Sequence, residues 1–278
     1  MTTKKHVVMF SGGIGSWATA QRVVAEHGAD EVVLLFADVK GDNDNPHLGE
    51  DADVYRFIND VTASLGCDLV TLSEGRSIWQ VFTDKRFLGN SRLANCSHLL
   101  KQKPTREWLI EHCDPATTTA YVGISWDEMH RLAPIEAAYA SFGFTVKAPL
   151  CAPPYRDKAD LIQACRDSGI EPPTSYAAGY PHANCGGACV RAGKAQWKLL
   201  MNTNRDRYLY HEEQEQRLRE HLGKDVTILR EQVAGEKVRL TLRSFREREE
   251  VGITDEDAEL DFGGCGCFVQ TTPAEEEA

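Results

Sequence analysis

The stretch that decides the fold is Val7-Val8-Met9-Phe10-Ser11-Gly12-Gly13-Ile14-Gly15-Ser16, near the start of the 278-residue chain. Its first four residues are apolar, which is typical of a buried parallel strand. The glycines allow a tight turn, and residues 16–24 continue with the pattern of a helix. A strand, a glycine-rich turn and a helix N-terminus present backbone N–H groups and a positive dipole end to an anion. The stretch therefore predicts a phosphate-binding turn.

Strand-like and helical patterns alternate after this turn. The strand-like runs are 7–10, 32–37, 68–72, 119–124 and 145–148, and the helical patterns are 16–27, 49–65, 105–112, 133–142 and 158–167. This alternation predicts βαβ units with right-handed crossovers, and hence an α/β fold with a doubly wound parallel five-stranded sheet. Ligands of such sheets bind outside the carboxyl ends of the strands, near the point where the strand order reverses.

The pattern changes after Glu171-Pro172-Pro173, because proline disfavours helical geometry in the residue before it. We expect a nucleotide-binding α/β domain over residues 1–175. Residues 176–278 then form a cysteine-containing C-terminal extension of helices and a hairpin around Ala234-Gly235-Glu236. Within this extension, the Glu/Arg-rich pattern over 206–221 predicts a solvated surface helix.

Composition narrows the class of protein. The formal net charge of −11 argues against a general nucleic-acid-coating protein, although a local basic groove stays compatible with it. No apolar run approaches the roughly 20 residues needed to cross a bilayer, and the N-terminus has no signal-peptide pattern. We therefore expect a cytoplasmic protein without membrane partners. In that compartment, nine cysteines favour metal or redox chemistry over a disulfide framework.

Three phosphate-binding motifs compete for the glycine turn. A Walker P-loop needs a lysine after its last glycine, and Ser16 follows Gly15 here. The dinucleotide pattern G-x-G-x-x-G/A is formally met by Gly13, Gly15 and Ala18, with Asp38 about twenty residues further on. A dehydrogenase therefore remains an alternative, as does a glycine turn that serves packing alone.

The third motif is a family resemblance. Ser11 to Ser16 resembles the S-G-G-x-[DG]-S loop of the PP-loop ATP pyrophosphatase superfamily. Cys96-Ser97-His98-Leu99-Leu100-Lys101-Gln102-Lys103-Pro104 resembles the C-[ST]-x-x-L-K-x-x-P segment of the phosphoadenosine phosphosulfate (PAPS) reductase-like branch. Gly123 to Arg131 resembles that branch's G-I-x-x-D-E-x-x-R segment. The resemblance spans most of residues 5–190, and it departs from the family at Gly15, where many members carry Asp.

The resemblance implies an adenine nucleotide alpha hydrolase-like, Rossmann-like fold that binds ATP with Mg²⁺ and splits it between the α and β phosphates. The implied nucleotide-binding residues are Ser11, Gly12, Gly13, Gly15, Ser16, Asp38, Gly123 and Arg131. The implied catalytic residues are Cys96, Lys101 and Asp127. Lys101, in a local basic segment with Arg92, Lys103 and Arg106, would stabilise the leaving pyrophosphate. Asp127 with Glu128 would hold Mg²⁺; alternatively, Asp127 caps the next helix.

Two cysteine pairs, Cys185-x-x-x-Cys189 and Cys265-x-Cys267, lie among glycines. Four thiolates suit an iron–sulfur cluster or a structural zinc, and redox thiols without a metal are the third alternative. PAPS-reductase-like enzymes that carry a 4Fe-4S cluster also use two cysteine pairs, so the resemblance implies a cluster. Cys96 would be a further thiol near the substrate, either carrying sulfur or ligating the cluster. The other cysteines are expected to pack in the core: Cys67, Cys113, Cys151 and Cys165.

The resemblance thus implies an enzyme, an ATP-dependent adenylating sulfurtransferase acting on a nucleotide or on a nucleic acid such as tRNA or DNA. A sulfur donor protein and a homo-oligomer are the other expected partners. One alternative is a sulfonucleotide reductase that releases sulfite. Another is a non-catalytic nucleotide-binding module with a structural zinc.

Overall fold

The computed structural model describes residues 5–90, 94–233, 235–253 and 261–263. Its centre is a five-stranded, all-parallel sheet with the strand order β3-β2-β1-β4-β5. The strands are β1 (His6–Met9), β2 (Val32–Asp38), β3 (Asp68–Ser73), β4 (Thr119–Val122) and β5 (Thr145–Lys147). The predicted doubly wound α/β sheet is confirmed. Because the order runs outward from β1 in both directions, the switch point lies between β1 and β4.

The central strands are apolar on both faces because helices cover both sides of the sheet. Val8 and Phe10 pack into the core on one face, whereas Val7 and Met9 pack into the core on the other. All four side chains are buried. This alternation along β1 fixes the strand register. The glycine turn follows the last residue of β1 and therefore lies at the carboxyl edge of the sheet.

The helices begin and end close to the predicted patterns. They are α1 (Ile14–His27), α2 (Ala52–Leu65), α3 (Ile78–Asp84), α4 (Asn95–Ser97), α5 (Lys103–His112), α6 (Leu132–Ala140), α7 (Lys158–Asp167), α8 (Thr174–Ala177), α9 (Lys194–Thr203), α10 (Arg205–Leu222) and α11 (Leu242–Glu250). Asp51 and Asp157 cap α2 and α7 by accepting a backbone N–H. Among the described helices, none is long and apolar enough to cross a membrane.

A third core lies beside the sheet and is built from both halves of the chain. It joins residues of 39–100 to residues of 188–245, including Trp79, Phe82, Trp197 and Tyr208. The division into domains at residue 175 stays a prediction, and the two segments on either side of it share this core. The predicted hairpin is present as β6 (Leu229–Val233) and β7 (Glu236–Leu240).

The prediction of a solvated surface helix over 206–221 is wrong. Helix α10 buries seven residues, four of them ionisable residues other than tyrosine: Arg207, His211, Glu212 and Glu215. Each meets a partner inside the protein, which offsets the cost of taking a polar group out of water. Glu215, for example, accepts the backbone N–H groups of Ile228 and Leu242 at 2.7 and 2.8 Å. The composition of α10 does not indicate this burial, because the apolar residues that pack against the helix lie far away in the sequence.

Glu215 makes the stability of this core depend on pH. Burial raises the pKa of its carboxyl to about 7, against an ordinary value of 4.5. A group whose pKa is raised in the folded state stabilises the fold at low pH, and this contribution is lost as the pH rises through 7. We expect Glu215→Gln to cost less unfolding free energy at pH 8 than at pH 5, measured by urea denaturation. Glu213→Gln, on the exposed side of α10, is the control; an equal cost of Glu215→Gln at both pH values would contradict the expectation.

Candidate functional site

The glycine turn lies at the carboxyl end of β1 and leads directly into α1. Gly12 has a φ of +76°, and a Cβ there would come within 2.7 Å of Val54 in α2. Ser16 donates a hydrogen bond to the carbonyl of Gly13 at 2.8 Å, which keeps the turn compact. The N–H groups of Gly15 and Ser16 belong to the first helical turn, whose donors have no partner within the helix. The turn therefore presents N–H groups and hydroxyls at the positive end of α1.

The turn after β1 touches the turn after β4. A Cβ on Gly15 would lie 2.9 Å from the carbonyl oxygen of Gly123, and a Cβ on Gly123 would lie 2.8 Å from the nitrogen of Ser16. No side chain fits between these backbones without displacement. A side chain at position 15 would therefore displace one of the two turns.

Tyr176 of α8 is a site residue that the sequence analysis did not single out. Its hydroxyl accepts the N–H of Ile14 at 2.9 Å, at the first position of α1. Burial raises the pKa of this phenol to about 12, so it stays protonated. Tyr176 lies within residues 5–190, most of which the family resemblance spans, and this was the available signal.

A cavity of about 390 Å³ opens between the two turns, at the switch point of the sheet. This volume lies in the range of small-molecule sites. Its walls include most of the predicted nucleotide-binding and acidic residues: Ser11, Gly13, Gly15, Ser16, Gly123, Asp127, Glu128 and Arg131. We call it the cradle cavity. The structure thus brings together the two segments of the resemblance at residues 11–16 and 123–131.

The acidic residues of the cradle cavity lie on a 3₁₀ segment, Trp126–Arg131, that follows β4. Asp127 accepts a hydrogen bond from the hydroxyl of Ser125, and Glu128 pairs with Arg131. Neither this segment nor α6 has a side-chain cap, so the alternative in which Asp127 caps the next helix is wrong. Arg156 and Lys158, which the sequence analysis gave no role, add two cations to the cavity wall.

Asp38 and Lys101 lie away from the cradle cavity. The Asp38 carboxylate accepts the hydroxyl of Tyr55 at 2.8 Å and the N–H of Lys40 at 3.0 Å, at the carboxyl end of β2. The Lys101 ammonium is buried 3.5 Å from the Glu50 carboxylate, with side-chain exposures of 8% and 0%. A role of Lys101 at the leaving pyrophosphate therefore stays a prediction, and Arg92 of the same basic segment lies outside the described residues.

Lys101 lines a second, smaller cavity of about 30 Å³ that holds three cysteines. Cys96, Cys185 and Cys189 all contribute to its wall, together with Arg191. We call it the thiol cavity. Burial raises the pKa of the Cys96 and Cys185 thiols, while the charge of Lys101 opposes that shift. The structure thus joins Cys96, which lies 89 positions before Cys185 in the sequence, to the first predicted cysteine pair.

Cys185 has a strained backbone that the neighbouring contacts impose. Its φ of +55° lies in the left-handed region, which a side chain disfavours. The next residue, Gly186, packs under the Arg207 guanidinium, and a Cβ there would come within 1.3 Å of that group. Strain of this kind persists only where the surroundings fix the backbone.

The Arg207 side chain fixes the backbone around Cys185. The side chain is 1% exposed and donates to the carbonyl of Gly186 at 3.2 Å. It also donates to the carbonyls of His47, Leu48, Gly49 and Glu50 at 3.1 to 3.3 Å. One guanidinium of α10 therefore holds both the loop that carries Glu50 and the loop that carries Cys185.

The described residues form no group of three His, Cys, Asp or Glu side chains close enough to hold a single metal ion. Cys265 and Cys267 lie outside the described residues, so the second predicted cysteine pair is not placed. Of the four cysteines expected in the core, Cys67, Cys113 and Cys165 are buried, and Cys151 is partly exposed.

Residues 182–189 form a wall between the two cavities. His182 and Asn184 line the cradle cavity and also a small adjoining cavity, where they meet Cys189. Cys189 in turn lines the thiol cavity. The cysteine loop is therefore the part of the chain that faces both the phosphate-binding turn and the thiols.

No model of a protein family matches this sequence, and no curated protein does. Among solved structures, one similar chain is phosphoadenylyl-sulfate (PAPS) reductase from Candida auris in a phosphate complex. It has 16% sequence identity and a TM-score of 0.44, covering 63% of this chain and 78% of that one. Another is the NH3-dependent NAD synthetase from Campylobacter jejuni subsp. jejuni NCTC 11168 with a nitrate ion, at 10% identity and a TM-score of 0.39. That match covers 81% of this chain and 86% of the other. Likenesses at this level assign no activity to the chain.

The glycine contact can be tested with pyrophosphate as the probe. We expect Gly123→Ala to weaken pyrophosphate binding roughly 10- to 100-fold, because the new Cβ displaces the turn that carries Ser16. Isothermal calorimetry measures the affinity. The control is Gly66→Ala, which carries its own backbone strain but has open space around it. If both variants bind pyrophosphate equally well, the close approach of the two turns does not shape the site.

The Arg207 contacts can be tested through the thiols. We expect Arg207→Lys to lower the unfolding free energy by roughly 3 kcal/mol, because an ammonium cannot reach five carbonyls at once. Alkylation of Cys185 by iodoacetamide, followed by mass spectrometry, should accelerate relative to the core residue Cys165. Arg217→Lys, on the exposed side of the same helix, is the matched control. Unchanged labelling of Cys185 in Arg207→Lys would show that another contact holds the loop.

Proposed function

We propose that this chain is an ATP-dependent adenylating enzyme that transfers sulfur to a nucleotide or nucleic-acid acceptor. The observation that carries the proposal is the cradle cavity, where a serine–glycine turn and a helix N-terminus face an acidic segment at the switch point of the sheet. The resemblance of its two motifs to the PP-loop superfamily supports ATP as the nucleotide. The three thiols behind the adjoining wall support sulfur chemistry.

The residues of the cradle cavity would divide the first half-reaction between them. An acceptor oxygen would attack the α-phosphorus, and the bond to the β-phosphate would break. The N–H groups of Gly15 and Ser16, with the serine hydroxyls, would bind the departing pyrophosphate. Asp127 and Glu128 would hold Mg²⁺, which supplies charge neutralisation to the phosphates when bound.

The thiols would serve the second half-reaction, in which hydrosulfide from a sulfur donor protein forms a C–S bond to the adenylated acceptor, the bond from that carbon to the AMP oxygen breaks, and AMP leaves. We assign Cys96, Cys185 and Cys189, completed by Cys265 or Cys267, as ligands of an iron–sulfur cluster. Three thiols line one cavity together with Lys101 and Arg191, which supports thiolate ligands, and this cavity of about 30 Å³ would have to widen to take a cluster. A structural zinc held with the same outside cysteines is the alternative, since no three ligands within the described residues lie close enough to hold one ion. When bound, a cluster would supply a site for sulfur or electrons.

Two variants separate the half-reactions in an assay of pyrophosphate release from ATP with tRNA or DNA fragments as acceptors. We expect Asp127→Asn to lower the rate roughly 100-fold, as loss of a group that stabilises transition-state charge does. Cys96→Ser should leave pyrophosphate release intact and abolish sulfur incorporation, followed with ³⁵S. Asp167→Asn, on the exposed side of α7, is the control. Absence of pyrophosphate release from the wild-type protein with every acceptor would refute the proposal.

Sulfonucleotide reduction is the second candidate, and the thiol cavity is the observation that favours it. In that reaction the cradle cavity would hold the adenylyl sulfate and a cysteine thiol would attack its sulfur. Sulfite release from adenylyl sulfate or its 3′-phosphate, without pyrophosphate release from ATP, would identify this activity.

A further inference from the structure

An exposed tryptophan lines the cradle cavity, and an exposed tyrosine lies beside that tryptophan. Trp126 is 46% exposed and lines the cavity, and it is the most exposed of the five tryptophans. Tyr155 is 55% exposed, and its ring centroid lies 6.3 Å from that of Trp126. Met129 is also exposed, one turn after Trp126 on the same 3₁₀ segment. Exposed apolar groups gathered at a cavity mouth are typical of a binding surface.

The chain holds these rings in place. The indole N–H of Trp126 donates to the carbonyl of Arg156 at 3.2 Å, which ties the 3₁₀ segment to the loop that carries Tyr155. Arg22 of α1 anchors the same loop by donating to the carbonyls of Pro149 and Pro154, both at 2.7 Å. The rings are therefore presented on a fixed frame, which reduces the entropy lost when a ligand stacks on them.

Cations accompany the rings. Arg156 and Lys158 line the cavity next to Tyr155, and the Lys158 ammonium reaches the carbonyl of Pro181 at 2.7 Å. Two of the nearby carboxylates already have partners. Glu128 pairs with Arg131, and Asp157 accepts the N–H of Asp160 at the start of α7. The surface thus combines aromatic faces with charges of both signs, since Asp127, Glu128 and Asp157 line the cavity together with Arg131, Arg156 and Lys158.

We propose that Trp126 and Tyr155 form a stacking platform for a nucleobase of the acceptor, a single-stranded nucleic-acid segment. Aromatic rings beside basic side chains are the usual means of binding unpaired bases, because the rings stack and the cations follow the phosphates. A protein partner fits poorly, since three exposed side chains fall far short of the 20–30 residues that each side of a stable interface contributes. This proposal rests on the proposed function and names the class of acceptor for that reaction.

The sheet order places this platform on the acceptor side of the cavity. It follows β4, whereas Asp38, an implied nucleotide-binding residue, ends β2. These strands flank β1 on opposite sides. A nucleotide that extends from the central turn towards Asp38 would leave the rim beside β4 open on the other side of the turn.

The test uses the full chain and two separate probes. Fluorescence anisotropy measures binding of labelled single-stranded DNA and RNA, each of about 12 nucleotides. Calorimetry measures binding of α,β-methylene-ATP, which cannot be cleaved between its α and β phosphates. We expect Trp126→Ala and Tyr155→Ala each to weaken oligonucleotide binding roughly 5- to 150-fold. Trp126→Phe should retain most of the affinity, and Phe87→Ala, an exposed aromatic elsewhere, should retain all of it. The ATP analogue should bind to all variants within about twofold of the wild type.

The outcomes separate this proposal from the one it rests on. Equal oligonucleotide binding by wild type and Trp126→Ala would overturn it. The proposal would also be overturned if the wild-type protein bound the ATP analogue but no oligonucleotide. It would be overturned as well if the Trp126 and Tyr155 variants lost only analogue binding, because the rings would then bind the base of ATP. Failure of the wild-type protein to bind the analogue would instead count against the proposed function. Stronger binding of one oligonucleotide type would identify the acceptor as RNA or DNA.

Discussion

One buried cation organises the region around the thiols. Arg207 reaches from α10 to five backbone carbonyls in two loops that are far apart in the sequence. Burying a guanidinium without such partners would cost several kcal/mol, so these carbonyls must stay where the arginine needs them. That requirement positions Glu50 against Lys101, and it forces the left-handed backbone at Cys185. The thiol cavity is therefore a product of the C-terminal segment as much as of the sheet.

The cradle cavity depends on a different constraint, which is the contact between the turns that contain Gly15 and Gly123. The two arrangements meet at residues 182–189, which contribute His182 to one cavity and Cys185 to the other. The proposed reaction would activate an acceptor at one cavity and deliver sulfur from the other, and would need both groups at a common boundary. Residues 182–189 would supply that boundary.

Local patterns in the sequence predict the sheet and the cradle, because both depend on short-range features. The apolar run before Ser11 predicts the strand, and the glycines predict the turn. Long-range pairs are harder to predict. Nothing near Arg207 in the sequence indicates that it binds the backbone carbonyls of residues 47–50 and 186. For this reason the sequence pattern of α10 wrongly predicts a surface helix. Cys96 and Cys189 likewise pack against the third core, and with Cys185 they line the thiol cavity, an arrangement that no local pattern shows.

The contact between Gly15 and Gly123 has a consequence for the energetics of binding. Since main chain touches main chain there, the separation of the two turns is set when the protein folds and does not depend on side-chain rotamers. For the proposed phosphate ligand, the conformational entropy of ordering the backbone donors would be lost during folding and would not be lost again on binding. On this proposal the glycine turn is a preorganised host.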